Sequence, residues 1–282
     1  MRYKHYIGIT AMTDVIQIDV EKILAAKAGK KAKYVPGFVV SYLKKIIHQD
    51  EVNEALRCFG HKKDLDFINA FMEYFNNTFD VQGLENLPRD DRYYTFVSNH
   101  PLGAQDGLGL AYILGPEYNG KVKFLVNDLL MNFPQISSFW VPINKTGKQA
   151  RNFPQQVNAA FKGDNHIVMF PAGLCSRKKK GVVKDLEWKK TFITKSVQTQ
   201  RDIIPIHFEG ENSKFFYRLA NINAMLGLKF NIAMLWLSDE MFKNRNKRFK
   251  VTIGKPIPWQ TFDKSKTPAQ WAQYVRDLVY TL

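Results

Sequence analysis

From residue 38 the apolar positions recur with helical spacing. Phe38, Tyr42 and Ile46 fall on one ridge, and Val39, Leu43 and Ile47 form the next. Lys44 and His48 face away, with Lys45 on the border. Asp50 reads as the N-cap of a following helix that Gly60 stops. Leu65, Ile68, Met72, Phe75 and Phe79 trace the apolar stripe of another. From about residue 79 the rhythm changes. Short β-rich runs over 93–98, 122–126, 139–143, 167–170, 203–208 and 249–253 alternate with helical stretches over 149–162, 187–198 and 213–226. Such alternation predicts an α/β fold, with a mixed, partly parallel sheet flanked by helices and a helical N-terminal part. The last helix has a strong start signal in Thr267-Pro268-Ala269-Gln270: an N-cap, a first-turn proline and a capping-box glutamine. The chain shows no internal repeat, low-complexity tract or long Gly/Ser linker. Its one boundary falls near residues 80–88, which divides it into a helical, membrane-associating part (1–85) and an α/β domain (86–282).

The 282 residues carry 41 Lys plus Arg against 26 Asp plus Glu, a net charge of +15. Hydrophobic residues at 45% and charged ones at 24% exclude wholesale disorder, and the length suffices to bury a core without disulfide staples. Cys58 and Cys175 lie far apart, with no CxxC and no His-rich neighbourhood, so a disulfide framework and a zinc ribbon are not expected and a reducing compartment fits. The longest apolar stretch, 107–116, is broken by glycines and falls far short of the ~20 residues a spanning helix needs. Asp14 interrupts the apolar core that a signal peptide requires. A cytoplasmic, non-transmembrane protein is expected. The excess of cations predicts an anionic partner: nucleic acid, an anionic membrane surface or an acidic protein. Lys and Arg are scattered without a recognisable reading module, so nucleic acid is not the expected one.

Candidate chemistry gathers at two strand ends. Phe96-Val97-Ser98-Asn99-His100 ends an apolar strand in Asn and His, and Pro101-Leu102-Gly103-Ala104-Gln105-Asp106-Gly107 adds a Pro/Gly turn and an acid. Catalytic groups of open α/β sheets sit beyond the carboxyl ends of strands. On a regular helix the six steps from His100 to Asp106 turn about 600°, which points the two apart. Backbone freedom at Gly103 would let Asp106 fold back onto one ring nitrogen of His100 and leave the other as a base. The alternative is a satisfied turn in which Asn99 and Asp106 cap backbone groups. The second segment, His166 to Phe170-Pro171-Ala172-Gly173 and on to Ser176, Arg177, Lys178, Lys179 and Lys180, repeats the strand-and-turn pattern and delivers four cations. It suits a phosphate or carboxylate head group, although such a run taken alone is more often a solvated basic loop. Cys175 reads as a buried small thiol, and His207 as a strand side chain. No set of His, Cys and carboxylates has metal spacing. No P-loop or dinucleotide motif follows a strand.

These residues resemble a known family. Asn99-His100 with Asp106 resembles the first block of the lysophospholipid (glycerolipid) acyltransferases, written His, four residues, Asp. Phe170-Pro171-Ala172-Gly173 with Ser176-Arg177 resembles the third block, commonly Phe-Pro-Glu-Gly, and Ile203-Ile204-Pro205-Ile206 the fourth. Phe139-Trp140-Val141-Pro142-Ile143-Asn144-Lys145 stands where the second is expected. Order and spacing agree along roughly residues 90–210. Two departures turn the expectation away from a glycerol-phosphate acceptor: five residues separate His100 from Asp106, and Ala172 replaces the glutamate. The wording His-Pro-Leu-Gly, with Asp185-Leu186-Glu187-Trp188 downstream, is most similar to the haemolysin-like bacterial branch, which includes O-acyltransferases of glycine and ornithine aminolipids.

The resemblance implies transfer of a fatty acyl group from acyl carrier protein or acyl-CoA to the hydroxyl of a monoacylated lipid of the N-(3-hydroxyacyl) glycine or ornithine type. Its rival is 1-acyl-sn-glycerol-3-phosphate acylation. His100 would be the general base and Asp106 its partner, with backbone N–H groups of the following turn stabilising the oxyanion. Asn99, Gly103, Lys145, Phe170, Pro171, Gly173, Ser176, Arg177 and Lys178 are the expected substrate-binding residues. No cofactor or metal is implied. The implied location is peripheral, on the inner face of the cytoplasmic membrane. The amphipathic stretch 38–48 would either touch that membrane or pack on the core.

Overall fold

A computed structural model describes residues 17–126, 134–142, 153–227 and 232–282. Four helices come first: α1 (Val20–Ala28), α2 (Gly37–Ile47), α3 (Gln49–Phe59) and α4 (Asp64–Phe75). Asp19 caps α1 by accepting the N–H groups of Glu21 and Lys22. His48, with φ at 56°, ends α2 and is itself the N-cap of α3. Asp50 is therefore not the cap; it lies in the first turn, where its charge meets the positive end of the helix dipole. Asn76, at φ 49°, stops α4. Phe79 accordingly leaves the helical stripe and enters strand β1 (Thr78–Gln82).

The alternating part follows as β2 (Thr95–Ser98), α5 (Ala104–Glu117), β3 (Val122–Val126), β4 (Trp140–Pro142), α6 (Phe153–Lys162) and β5 (His166–Met169). It continues with β6 (Arg177–Lys179), β7 (Val182–Lys184), α7 (Thr191–Gln198), β8 (Ile203–Phe208), α8 (Lys214–Met225), α9 (Leu237–Lys243), β9 (Arg248–Ile253) and α10 (Pro268–Val279). Seven of the described strands form one sheet in the order β1-β9-β8-β2-β5-β3-β4. The five strands from β8 to β4 run parallel, β9 runs antiparallel to β8, and β1 is parallel to β9. The sheet is thus mixed and mostly parallel, as the alternation predicts.

Helices cover both faces. Phe96 and Val168 pack with α3, α4 and α5, whereas their neighbours Val97 and Ile167 pack with α6, α7 and α10. Burial on both sides is why these strands read as unbroken apolar runs. Leu56, Phe67, Ile68 and Phe75 of the N-terminal helices share one cluster with Phe124 and Ile204 of the sheet. Among the described residues no helix is long and apolar enough to cross a membrane.

Several elements depart from the sequence pattern for physical reasons. The glycines that weaken helical propensity over 104–117 hide α5. One of them is a packing requirement, since a Cβ on Gly109 would meet the Phe79 ring at 2.8 Å. The cationic run is a hairpin, because Lys180 (φ 48°) and Gly181 (φ 83°) supply the two left-handed residues of its turn. α7 starts at Thr191 and not near 187, since Trp188 is engaged outside it by Asp185. α10 begins as the capping box predicts, with Thr267 Oγ1 and the Gln270 side chain satisfying each other's N–H groups.

Candidate active site

β2 sits at the centre of the sheet with β5 and β8 parallel on either side, so the loops beyond Ser98, Met169 and Phe208 leave at one sheet edge. Hydrogen bonds lace these loops together. Asn99 is buried; its Nδ2 donates to the Phe208 carbonyl at 2.9 Å and its Oδ1 accepts the Phe208 N–H at 2.7 Å. It fastens β2 to the end of β8. Asn212, beyond β8, donates to the Pro101 carbonyl at 3.1 Å, and Ser176, beyond β5, donates its N–H to the His100 carbonyl at 2.8 Å.

His100 and Asp106 do meet: the ring Nδ1 lies 2.9 Å from Asp106 Oδ1. Gly103, at φ 83°, redirects the chain just before α5, so Asp106 in the first turn of that helix reaches back over it. The second carboxylate oxygen accepts the N–H groups of Leu102 at 2.8 Å and Gly103 at 3.2 Å. With Nδ1–H donating to the carboxylate, Nε2 is the basic nitrogen. Asp106 is fully buried, whereas the imidazole keeps 19% exposure and stays reachable. The Phe170 ring stacks on it at 4.2 Å and 25°, which fixes the ring plane. Burial pulls the His100 pKa down, but the charge and hydrogen bond of Asp106, with the charge of Asp185, outweigh it and leave the pKa raised.

The same bonds correct one expectation. The N–H groups of Leu102 and Gly103, which the sequence offers as oxyanion donors, are held by Asp106, and the His100 N–H donates to Asp185 at 3.2 Å. The turn stabilises its own acid instead.

Asp185, which the sequence singles out only as part of the resemblance and without a role, lies beside His100. It is buried, and its Oδ1 accepts the Ser176 hydroxyl at 2.6 Å as well as the His100 N–H, while its Oδ2 accepts the Trp188 indole N–H at 2.9 Å. Its main-chain N–H donates to the Tyr280 hydroxyl at 2.7 Å, and Arg276 donates to its carbonyl at 2.8 Å. Burial pushes its carboxyl pKa up, and the hydrogen bonds from Ser176 and Trp188 only partly offset this. The signal in the sequence is thin: an acid three residues before a tryptophan, in a stretch of helical composition.

The second segment folds as a tight turn. The Phe170 carbonyl accepts the Gly173 N–H at 2.9 Å, with Gly173 at φ 68°, and buried Pro171 accepts the Lys189 N–H at 3.1 Å. Arg177 is largely buried, and its Nη1 donates to the carbonyls of Cys175 at 2.6 Å and Ser176 at 3.4 Å. Lys178 pairs with Glu211 at 2.8 Å, and Lys179 and Lys180 are exposed. Burial pushes the Cys175 thiol well above the usual range, which makes it a poor nucleophile. His207 lies half-buried on β8, its ring 5.5 Å from Tyr280. Lys145 lies outside the described residues. The assembled group is an accessible imidazole oriented by a buried carboxylate, beside a cationic hairpin: the equipment to deprotonate a hydroxyl of an anionic substrate.

Residues 22–282 match the family model described as Acyltransferase. The chain is 62% identical over 277 residues to the lyso-glycine lipid O-acyltransferase of Phocaeicola vulgatus, covering 98% of this chain and 99% of that protein. It is 63% identical over 273 residues to the lyso-glycine lipid O-acyltransferase of Bacteroides thetaiotaomicron, covering 96% and 100%. The crystal structure of the 1-acyl-sn-glycerophosphate (LPA) acyltransferase PlsC from Thermotoga maritima aligns over 93% of this chain and 94% of its own, at 18% identity and a TM-score of 0.46.

Proposed function

The chain belongs to the acyltransferase family, and we propose that it transfers a fatty acyl group from a thioester to the free hydroxyl of a monoacylated glycine lipid. The near-complete, more than 60% identity to two proteins named for that acceptor supports the substrate class. The observation that carries the chemistry is the bond between His100 Nδ1 and Asp106, which leaves Nε2 basic and exposed at the sheet edge.

Nε2 of His100 takes the proton of the lipid hydroxyl as its oxygen attacks the thioester carbonyl. Asp106 holds the tautomer and stabilises the imidazolium that forms. The tetrahedral intermediate collapses, the carbon–sulfur bond breaks, and the imidazolium returns its proton to the departing thiolate. An ester and a free thiol result. The acyl donor is acyl carrier protein or coenzyme A, and no enzyme nucleophile takes part. Arg177 and the following lysines receive the acceptor's carboxylate, and the turn through Phe170, Pro171, Gly173 and Ser176 shapes the site, since its own donors are held by Phe170, His100 and Asp185. Gly103 and Asn99 hold the His100 turn in shape.

The enzyme works peripherally at the inner face of the cytoplasmic membrane. In support, α2 is divided: Phe38 is 76% and Tyr42 49% exposed, while Ile46 is buried. Purified protein given acyl-carrier protein or acyl-CoA, with either lyso-glycine lipid or 1-acyl-glycerol-3-phosphate, tests the assignment. Turnover with the first acceptor is expected, and turnover with the second alone would replace it by the rival. Deletion in cells should accumulate the monoacylated aminolipid and not lysophosphatidic acid.

A further inference from the structure

We propose that the outer face of α8 is a second membrane contact, which together with the amino-terminal half of α2 seats the protein on an anionic bilayer. The inference rests on the reading of the acceptor as a membrane lipid. α8 is apolar on two sides. Its inner side buries Phe216, Tyr217 and Ala220 in the cluster that holds Cys175. On the opposite side, residues 215, 222 and 226 recur at helical spacing with Met225 beside them. Phe215 is 49% exposed, Ile222 48%, Met225 78% and Leu226 60%. These apolar side chains stand in water beside Lys214 and Arg218 of the same helix.

The two helices border one groove. Trp236 bridges them, its ring 6.1 Å from that of Tyr42 and 5.7 Å from that of Phe215. Tyr42, Lys45, Phe215 and Trp236 line a cleft of about 260 Å³, together with Asp239, which His48 and Lys243 hold at 3.0 and 2.6 Å. Charge selects the occupant. Neither helix contains an acid; Lys44 is paired with Glu21 at 2.6 Å, and among the described residues Lys45, Lys214 and Arg218 make no ion pair. Cations around an exposed apolar helix face suit an interface of acyl chains and anionic head groups. A second copy of the same face would bring like charges together. The location also serves the reaction: Asn221 of α8 donates to the Lys178 carbonyl at 3.2 Å, so the face begins beside the cationic hairpin.

Flotation of the full chain with phosphatidylglycerol/phosphatidylethanolamine vesicles, and with phosphatidylcholine vesicles, tests this. The Ile222→Asp/Met225→Asp variant changes only exposed side chains, so its circular dichroism and melting should match wild type. Its partitioning onto the anionic vesicles should fall about tenfold or more. Arg218→Glu should weaken binding to the anionic vesicles alone. Turnover of the double variant on a short-chain acceptor dispersed in detergent should be unchanged. A wrong acceptor assignment would show in turnover and leave flotation intact, so the two failures are separable. Undiminished flotation of the double variant overturns the proposal. So does a wild-type dimer that the same substitutions make monomeric, which would assign the face to a second copy.

Discussion

Ser176 donates its main-chain N–H to the carbonyl of His100 at 2.8 Å, and its hydroxyl bonds the same Asp185 oxygen that accepts the His100 N–H. Both main-chain polar groups of the base are thereby fixed by the loop that carries the cationic hairpin. Two loops from different strand ends are thus tied together at His100.

Replacing Asp106 by Asn should cut kcat by on the order of 10⁴, because the amide presents the wrong hydrogen-bonding partner to Nδ1. The active form of His100 is the neutral ring, so activity rises as pH passes its pKa. Asp106 raises that pKa. Losing the charge lowers it, and the residual activity should therefore show its acid limb at lower pH. A limb that stays in place would remove the electrostatic role. His100→Ala should abolish turnover without loss of fold by circular dichroism.

Asp185→Asn keeps the shape but loses an acceptor among Ser176, Trp188 and His100. A stability loss of about 1–3 kcal/mol is expected, with kcat down about tenfold or more through misplacement of the base and the acceptor KM little changed. Thermal melting and steady-state kinetics separate the two effects. An unchanged kcat with the same loss in melting temperature would restrict Asp185 to a structural role.

The site was legible where local chemistry sets it. Strand-end placement and the freedom of Gly103 anticipate the bond between His100 and Asp106, and apolar runs buried on both faces mark β3 and β8 at their observed limits. What escaped depends on contacts distant in sequence. β1 exists because Asn76 turns the chain and β9 pairs with it, and α5 tolerates its glycines because Phe79 needs the space at Gly109. The Asp185–Trp188 motif carries part of the resemblance, but the role of Asp185 lies in partners on three separate segments, which the motif alone does not reveal.

Gly103→Ala tests the turn directly. At φ 83° an alanine is strained, and its Cβ would lie 3.0 Å from Leu237 Cδ2 and 3.1 Å from Cys175 Sγ. A loss of about 1–3 kcal/mol in unfolding free energy is expected. Gly107→Ala, whose Cβ would meet the Phe170 ring at an ordinary 3.8 Å, should be tolerated. Equal melting temperatures for the two variants would contradict this account.

The division of α2 makes a paired prediction. Phe38→Asp/Tyr42→Asp should keep the fold and reduce flotation with anionic vesicles, since both side chains are exposed. Ile46→Asp should unfold the helix from its neighbours by burying an unpaired charge. Undiminished flotation of the folded double variant would remove α2 from the membrane role.

Arg177 and the lysines after it should separate by their kinetics. Arg177 is largely buried with its guanidinium on the carbonyls of its own turn, while Lys179 and Lys180 are exposed. Arg177→Ala should therefore raise the acceptor KM and lower the melting temperature together, because the charge-assisted bonds that hold the turn are lost. Lys179→Ala/Lys180→Ala should raise the acceptor KM at higher ionic strength less than at low, with no change in melting, as screened surface charges do. Both sets leave His100 and Asp106 in place, so kcat at saturating acceptor should hold. An acceptor KM unmoved by Arg177→Ala would count against a head-group role for that residue and leave it as the clamp of its turn.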